Sequence, residues 1–189
     1  MSRWEPDGVE RLRAAAFDLF AEQGFERTTI AEITERAGLT RRSFFNHFAD
    51  KREVLFGSGP KVQQGLVVAG IAACPDSLPP LDAVVRGLQV AGEEMFAGNR
   101  DAVLLRRKII DANPELQERE HAKRALLTDV IAAALTARGV EADTALLTAR
   151  AGVAVQQTAM QQWIRPEETR SLTELLADAL SALRAIVTE

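Results

Sequence analysis

The side chains of this chain best equipped for chemistry sit in one run: Arg41, Arg42, Ser43, Phe45, Asn46 and His47, inside TTIAEITERAGLTRRSFFNHFADK from Thr28 to Lys51. Guanidinium forks, a hydroxyl, a carboxamide and an imidazole are the donors that meet phosphates and the edges of bases. Catalytic spacings are missing. The chain has His47, His121 and Cys74 but no HExxH, CxxC, GxSxG or EF-hand pattern, so no metal, cofactor or enzymatic role is expected. His121 stands in a charged run and reads as a surface residue.

Two short helices joined by a tight turn must position that run. Thr28 and Thr29 offer oxygens to a helix start, and Glu32 lies three residues beyond Thr29, the spacing of a capping box. Ile30, Ile33 and Ala37 recur at steps of three and four, which makes them the buried stripe, and Gly38 stops the helix. Thr40 caps a second helix whose Phe44 and Phe48 point inward, leaving Arg41, Arg42, Ser43, Phe45, Asn46 and His47 outside. This pattern reads as a helix-turn-helix that binds double-stranded DNA. The alternative is a helical protein-interaction module in which Arg41 and Arg42 are ordinary surface charges.

The surrounding residues resemble the N-terminal domain of the tetracycline-repressor (TetR) family of bacterial transcription regulators. The resemblance rests on Ala15, Ala16, Leu19, Phe20, Gly24, Phe25, Thr28, Thr29, Ile33, Ala37, Gly38, Phe45, Phe48 and Lys51, and it covers the first third of the chain. Beyond that third it rests on length and helical content. It implies backbone contacts from Thr28, Thr29, Thr40, His47 and Lys51, with Lys51 as a phosphate clamp at the start of the next helix. Phe45 departs from the pattern, where tyrosine usually stands, so its ring has only sugar or a thymine methyl to meet.

Composition sets the frame for these elements. With 189 residues, 47% of them hydrophobic, and no tyrosine, helix is favoured nearly everywhere, and the expected fold class is all-α. Residues 1–50 are expected to form a three-helix DNA-binding domain, and 51–189 a helical domain for effector binding and dimerisation. A single cysteine fits a reducing compartment, and no stretch has the length and apolarity of a membrane span, so a cytoplasmic protein is expected. The net charge of −4 is unfavourable for a polyanionic partner, but Arg41, Arg42, Lys51 and Arg52 form a local basic patch.

In chain order, the first helix is expected from Pro6 to Gln23, with a fourth helix beginning near Lys51 behind an Asp50/Glu53 capping box. FGSGPKVQQG predicts a break near Gly59 and Pro60, read as a hinge. Helices are then expected over 80–96, 100–111, from Pro114 to before Gly139, and over 143–163, with a last one behind a Ser171/Glu174 capping box. In 143–163, Leu146, Ala149, Val153, Gln156, Met160 and Trp163 form a packing seam, flanked by Ala145, Gly152 and Ala159 at seven-residue intervals. Leu172, Leu176, Ala179, Leu183 and Val187 make the stripe of the last helix. The family resemblance implies a homodimer through these two helices, about 143–187. It also implies a small, hydrophobic effector in a pocket whose candidate lining is Met95, Phe96, Leu105, Ile110, Gln156, Met160 and Trp163.

Overall fold

The computed structural model describes residues 8–57, 59–96 and 98–188, and among these it contains helices and no strand. The order is α1 (Gly8–Gln23), α2 (Ile30–Arg36), α3 (Arg41–His47), α4 (Glu53–Phe56), α5 (Gly59–Ala72), α6 (Pro80–Phe96), α7 (Arg100–Asp111), α8 (Pro114–Ala137), α9 (Ala142–Trp163) and α10 (Leu172–Thr188). The expected start of α1 at Pro6 lies outside the described residues. No helix among the described residues is long and apolar enough to cross a membrane.

The chain forms two compact units. The first holds the described residues up to Gly59 together with Leu104–Arg119, and the second holds Pro60–Val103 with Glu120–Glu189. The unit containing the helix-turn-helix is thus larger than residues 1–50, for a packing reason: Ile109, Ile110 and Leu116 bury their side chains in its core.

In that first core, α1 contributes Leu12, Ala16, Leu19 and Phe20, and the following turn adds Phe25. The rings of Phe20 and Phe25 lie 5.1 Å apart. Ile33 and Ala37 of α2, Phe44 of α3, Phe48, and Val54, Leu55 and Phe56 of α4 complete it. The α2 turn closes as the sequence predicts. Gly38 takes φ 63°, the N–H of Leu39 donates to Thr34 O at 2.8 Å, and the Arg11 guanidinium donates to the carbonyl of Ala37. A Cβ on Gly38 would stand 2.9 Å from Arg11 Nη2, so glycine answers both the left-handed backbone and the arginine.

α4 differs from expectation. Lys51 and Arg52 lie in a turn, not in the helix, because Asp50 Oδ1 accepts from the N–H groups of Arg52 (2.8 Å) and Glu53 (3.0 Å). The helix then lasts a single turn. Gly57 ends it at φ 47° with its N–H on Glu53 O at 2.6 Å. The break therefore falls at Gly57, and Gly59 and Pro60 open α5, where a proline costs no helical hydrogen bond.

The second unit is organised around mutual packing of α6, α9 and α10. Small residues set how closely its helices approach. At Gly152 a Cβ would collide with Val84 Cγ1 of α6, and at Gly87 it would stand 2.6 Å from Val67 O of α5. The buried stripe of α9 is accordingly Ala145, Ala149, Gly152, Val153, Val155, Ala159 and Trp163, whereas Leu146, Gln156 and Met160 of the expected seam are only half-buried. On α10, Leu172, Leu175, Leu176, Ala179 and Leu180 are buried, and Val187, expected in that stripe, is 72% exposed. Two arginines hold the connections. Arg138 donates to Ile71 O, Cys74 O and Pro75 O at 2.9, 2.8 and 2.8 Å, and Arg100 donates to the carbonyls of Arg165 and Glu168.

The glycine contacts separate two substitutions. Gly87→Ala forces a methyl against a backbone oxygen and is expected to lower stability by about 1–3 kcal/mol, seen as a lower urea midpoint. Gly65→Ala, in an exposed turn of α5 with open space around it, is expected to raise stability by about 0.5–1 kcal/mol in the same titration.

Candidate nucleic-acid interface

α3 is held at both ends. The Thr40 hydroxyl accepts from Ser43 N–H at 3.1 Å, and Phe48 N–H donates to Phe44 O at 2.9 Å. Phe44 is fully buried, with the Phe48 ring 5.4 Å away. That burial turns the other face outward. Arg41, Arg42, Phe45, Asn46 and His47 are exposed, and Ser43 is half-buried with its hydroxyl 2.9 Å from that of Thr40. Phe45 is 50% exposed and touches Phe44 edge-on, so it belongs to the outer face and not to the core.

α2 starts with the predicted capping box. Glu32 N–H donates to Thr29 Oγ1 at 3.2 Å, and Thr29 N–H donates to Glu32 Oε2 at 2.7 Å. These donors hold the Glu32 carboxyl below the usual glutamate range, first through the Thr29 backbone and then through its hydroxyl. The box is therefore complete at neutral pH and weakens only as acid protonates Glu32. Thr29 remains exposed beside it.

Two of the residues expected at the DNA backbone, Thr28 and Lys51, have partners within the chain. Thr28 is 1% exposed, and its hydroxyl donates to Gly24 O at 2.8 Å while accepting from Gln23 Nε2 at 3.3 Å. Its side chain closes the turn after α1 and does not reach the surface. Lys51 Nζ donates to the carbonyls of Phe25 (2.5 Å), Thr28 (2.9 Å) and Glu26 (3.4 Å), and it stands 4.2 Å from the centroid of the Phe25 ring. Burial pushes its pKa down. The three N–H bonds of an ammonium are all used there in the DNA-free chain. Composition showed a lysine near a helix start; only the folded chain brings residues 23 to 26 positions apart into contact.

The local basic patch shrinks in the same way. Arg52 is paired with Asp50, Nη2 to Oδ2 at 2.7 Å, and Arg36 with Glu22 at 2.7 Å. Arg41 and Arg42 have no ion-pair or hydrogen-bond partner among the described residues.

The candidate effector residues divide between the units. Leu105 and Ile110 pack in the core of the first, because α7 turns Ile109 and Ile110 toward it. Met95, Phe96, Gln156, Met160 and Trp163 lie in the second, where the rings of Phe96 and Trp163 are 6.4 Å apart and the Arg100 guanidinium is 6.0 Å from Trp163.

Similarity to known proteins comes in two stretches. Residues 12–56 match the model of bacterial regulatory proteins of the tetR family, and residues 78–188 match that of the MftR C-terminal domain. The chain is 33% identical over 75 residues to the HTH-type transcriptional regulator TcmR of Streptomyces glaucescens, covering 40% of this chain and 33% of that protein. It is 27% identical over 173 residues to MftR of Mycobacterium tuberculosis, named as a mycofactocin biosynthesis transcriptional regulator, covering 90% of this chain and 86% of that one. The matches span only about a third of TcmR and 39% of YerO from Bacillus subtilis. Among solved structures, Thermus thermophilus FadR, a TetR-family repressor in complex with lauroyl-CoA, is 28% identical with a TM-score of 0.56, covering 93% of this chain and 92% of that one. FadR of Bacillus halodurans shares the fold at 15% identity and a TM-score of 0.60, covering 96% of each chain.

Since the Thr40 hydroxyl already serves Ser43 N–H, Thr40→Ala is expected to lower the stability of the DNA-free protein by about 0.5–2 kcal/mol in urea unfolding. A residue serving only phosphate would leave that midpoint unchanged.

Proposed function

This chain belongs to the tetR family of bacterial regulatory proteins, and on that premise we propose that it is a ligand-responsive transcriptional repressor that binds a pseudopalindromic operator as a homodimer. The observation that carries the reading is the outer face of α3, where Arg41 and Arg42 are exposed, without partners among the described residues, beside Asn46, His47 and Phe45. Fork-shaped donors on a helix that fits the major groove read guanine edges or clamp phosphates. Thr29 and Thr40 lie next to this face and contribute backbone contacts that set register. The DNA partner places the protein in the cytoplasm.

Dimerisation through the outward face of α9 and the C-terminal end of α10 is the second part of the proposal. Leu147, Ile186 and Val187 are 69%, 69% and 72% exposed, an apolar surface that a second copy would cover. Pairing two copies brings two α3 helices to successive major grooves, roughly 34 Å apart. The third part is a small hydrophobic effector bound in the second unit, with Met95, Phe96, Gln156, Met160 and Trp163 as candidate lining and the break at Gly57 as the hinge. The lauroyl-CoA held by the Thermus thermophilus relative supports an acyl-type ligand.

Selection of bound fragments from a genomic library yields the operator, and fluorescence anisotropy on it tests the roles. Arg42→Ala is expected to cost ~1–3 kcal/mol of duplex affinity if it reads a base, and Arg41→Ala a comparable amount. Absence of duplex binding by the wild type at low salt would instead favour the protein-interaction module. For the assembly, Leu147→Glu with Ile186→Glu is expected to convert the dimer to monomer in light scattering and to weaken operator binding at least ~10-fold. Saturating effector at ~100 times its Kd is expected to stabilise the protein by about 2.7 kcal/mol, read as a thermal shift across a panel of fatty acids and acyl thioesters.

A further inference from the structure

We infer that Gln63 of α5 is the polar handle of the effector site, its carboxamide Nε2 donating to a neutral carbonyl oxygen of an otherwise apolar ligand such as an ester, thioester or amide. The inference rests on the effector reading above and adds a residue and a ligand class to it. Gln63 is 6% exposed, and the other buried polar residues among those described are Thr28, Thr34 and Asn113. Those three donate to backbone carbonyls at 2.8, 2.9 and 2.6 Å. The Gln63 amide has no hydrogen-bond partner among the described residues. No fully enclosed side-chain nitrogen or oxygen there lacks a partner, so this amide borders space that water enters.

The backbone accounts for that space. Gln63 shares the inward stripe of α5 with Val67 and Ile71. α5 and α6 come closest where two glycines meet: a Cβ on Gly70 would stand 2.7 Å from the Cα of Gly87. Beyond such crossings α5 lies closely along no other helix of the described chain. Gln63 stands about 10 Å along α5 before Gly70, and Met95 and Phe96 stand well past Gly87 on α6. All three are therefore on the side of the crossing away from the turn that joins the two helices. Side chains alone fill the interior there, and Gln63 is the buried polar one.

Charge selects the ligand group. An anionic head would need a free cation, and the half-buried cations of the second unit are engaged. Arg100 serves the carbonyls of Arg165 and Glu168, and Arg138 those of Ile71, Cys74 and Pro75. Lys123 and Arg124 stand 4.0 and 3.9 Å from the Glu120 carboxylate. A carboxamide offers a donor without charge. A ligand carbonyl can replace the water on that donor, whereas a purely apolar group would strand it.

The test titrates decanoic acid and methyl decanoate into the wild type and Gln63→Met, which keeps the unbranched shape and loses the amide. In the wild type the ester is expected to bind about 3-fold or more tightly than the acid at neutral pH. In Gln63→Met the ester affinity is expected to fall about 3- to 10-fold while the acid changes by less than about 2-fold. Free Gln63→Met is expected to unfold at an equal or higher urea midpoint, since no bond within the protein is lost. A side chain that served only the fold would lower that midpoint and leave ligand binding unchanged. Equal ester affinity in wild type and variant, or a wild type that prefers the acid, overturns this inference and leaves the effector reading standing. If neither probe binds the wild type, the acyl-effector reading fails and this inference with it. Should Gln63→Met not fold, by circular dichroism, the assigned Gln63 side-chain amide in nitrogen-15 spectra of the wild type decides. Bound methyl decanoate is expected to shift that signal and slow its exchange with water; an amide unmoved by bound ester overturns the inference.

Discussion

The burial of Phe44 fixes which residues the protein can show to a ligand. α3 has seven residues and α2 has seven, lengths at which a helix alone in water does not persist. Each exists because its ends are satisfied and one face is buried. Thr29 and Thr40 supply the caps, and Ile33 and Phe44, both without exposed surface, supply the buried faces. Rotating α3 enough to expose Phe44 would forfeit about 1.5–3 kcal/mol of apolar burial and drive a guanidinium or amide into the core. The helix therefore has one orientation, and Arg41, Arg42, Phe45, Asn46 and His47 are on the outside in it.

Charge adds a second selection. The chain as a whole is acidic, so any attraction to a polyanion has to be local. Within the first unit most cations already have partners: Arg11 the carbonyl of Ala37, Arg36 the carboxylate of Glu22, Arg52 that of Asp50, Lys51 its three carbonyls. Exposed pairs such as Arg36 with Glu22 contribute little to stability, but each lowers the field a distant phosphate would feel. Arg41 and Arg42 keep theirs. They also stand in the first turn of α3, which holds no acidic residue, so their charges oppose the helix dipole until an anion is present. That placement is unfavourable for folding and favourable for a duplex.

What could be read from residues alone was whatever depends on neighbours a few positions apart. Capping boxes at Thr29/Glu32 and Ser171/Glu174, the Gly38 stop and the Pro80, Arg100 and Pro114 starts are local interactions, and the helices begin and end there. Long-range contacts were illegible. Nothing near Lys51 in sequence announces that the carbonyls of residues 25 to 28 meet its ammonium, and nothing near Thr28 announces its burial. The hydrophobic period shows that α7 has an apolar face, but not that Ile109 and Ile110 spend it on the first unit's core. The family resemblance transfers a position, Lys51, but the backbone carbonyls that its ammonium meets are set by the fold.

The small residues of α9 illustrate a related ambiguity, with a consequence for assembly. A seven-residue recurrence of Ala145, Gly152 and Ala159 says that some helix comes close; it does not say whose. Within the chain that place is taken, since Val84 of α6 fills the space a side chain at Gly152 would need. A second copy cannot use a surface that is already buried. It would have to meet the opposite face of α9, where Leu147 stands exposed, and the C-terminal end of α10, where Ile186 and Val187 run past the buried core. On α10 the exposed Ile186 and Val187 follow Leu183 by three and four residues, so that helix has one apolar face, buried along its start and open at its end, whereas on α9 Leu147 stands apart from the buried stripe.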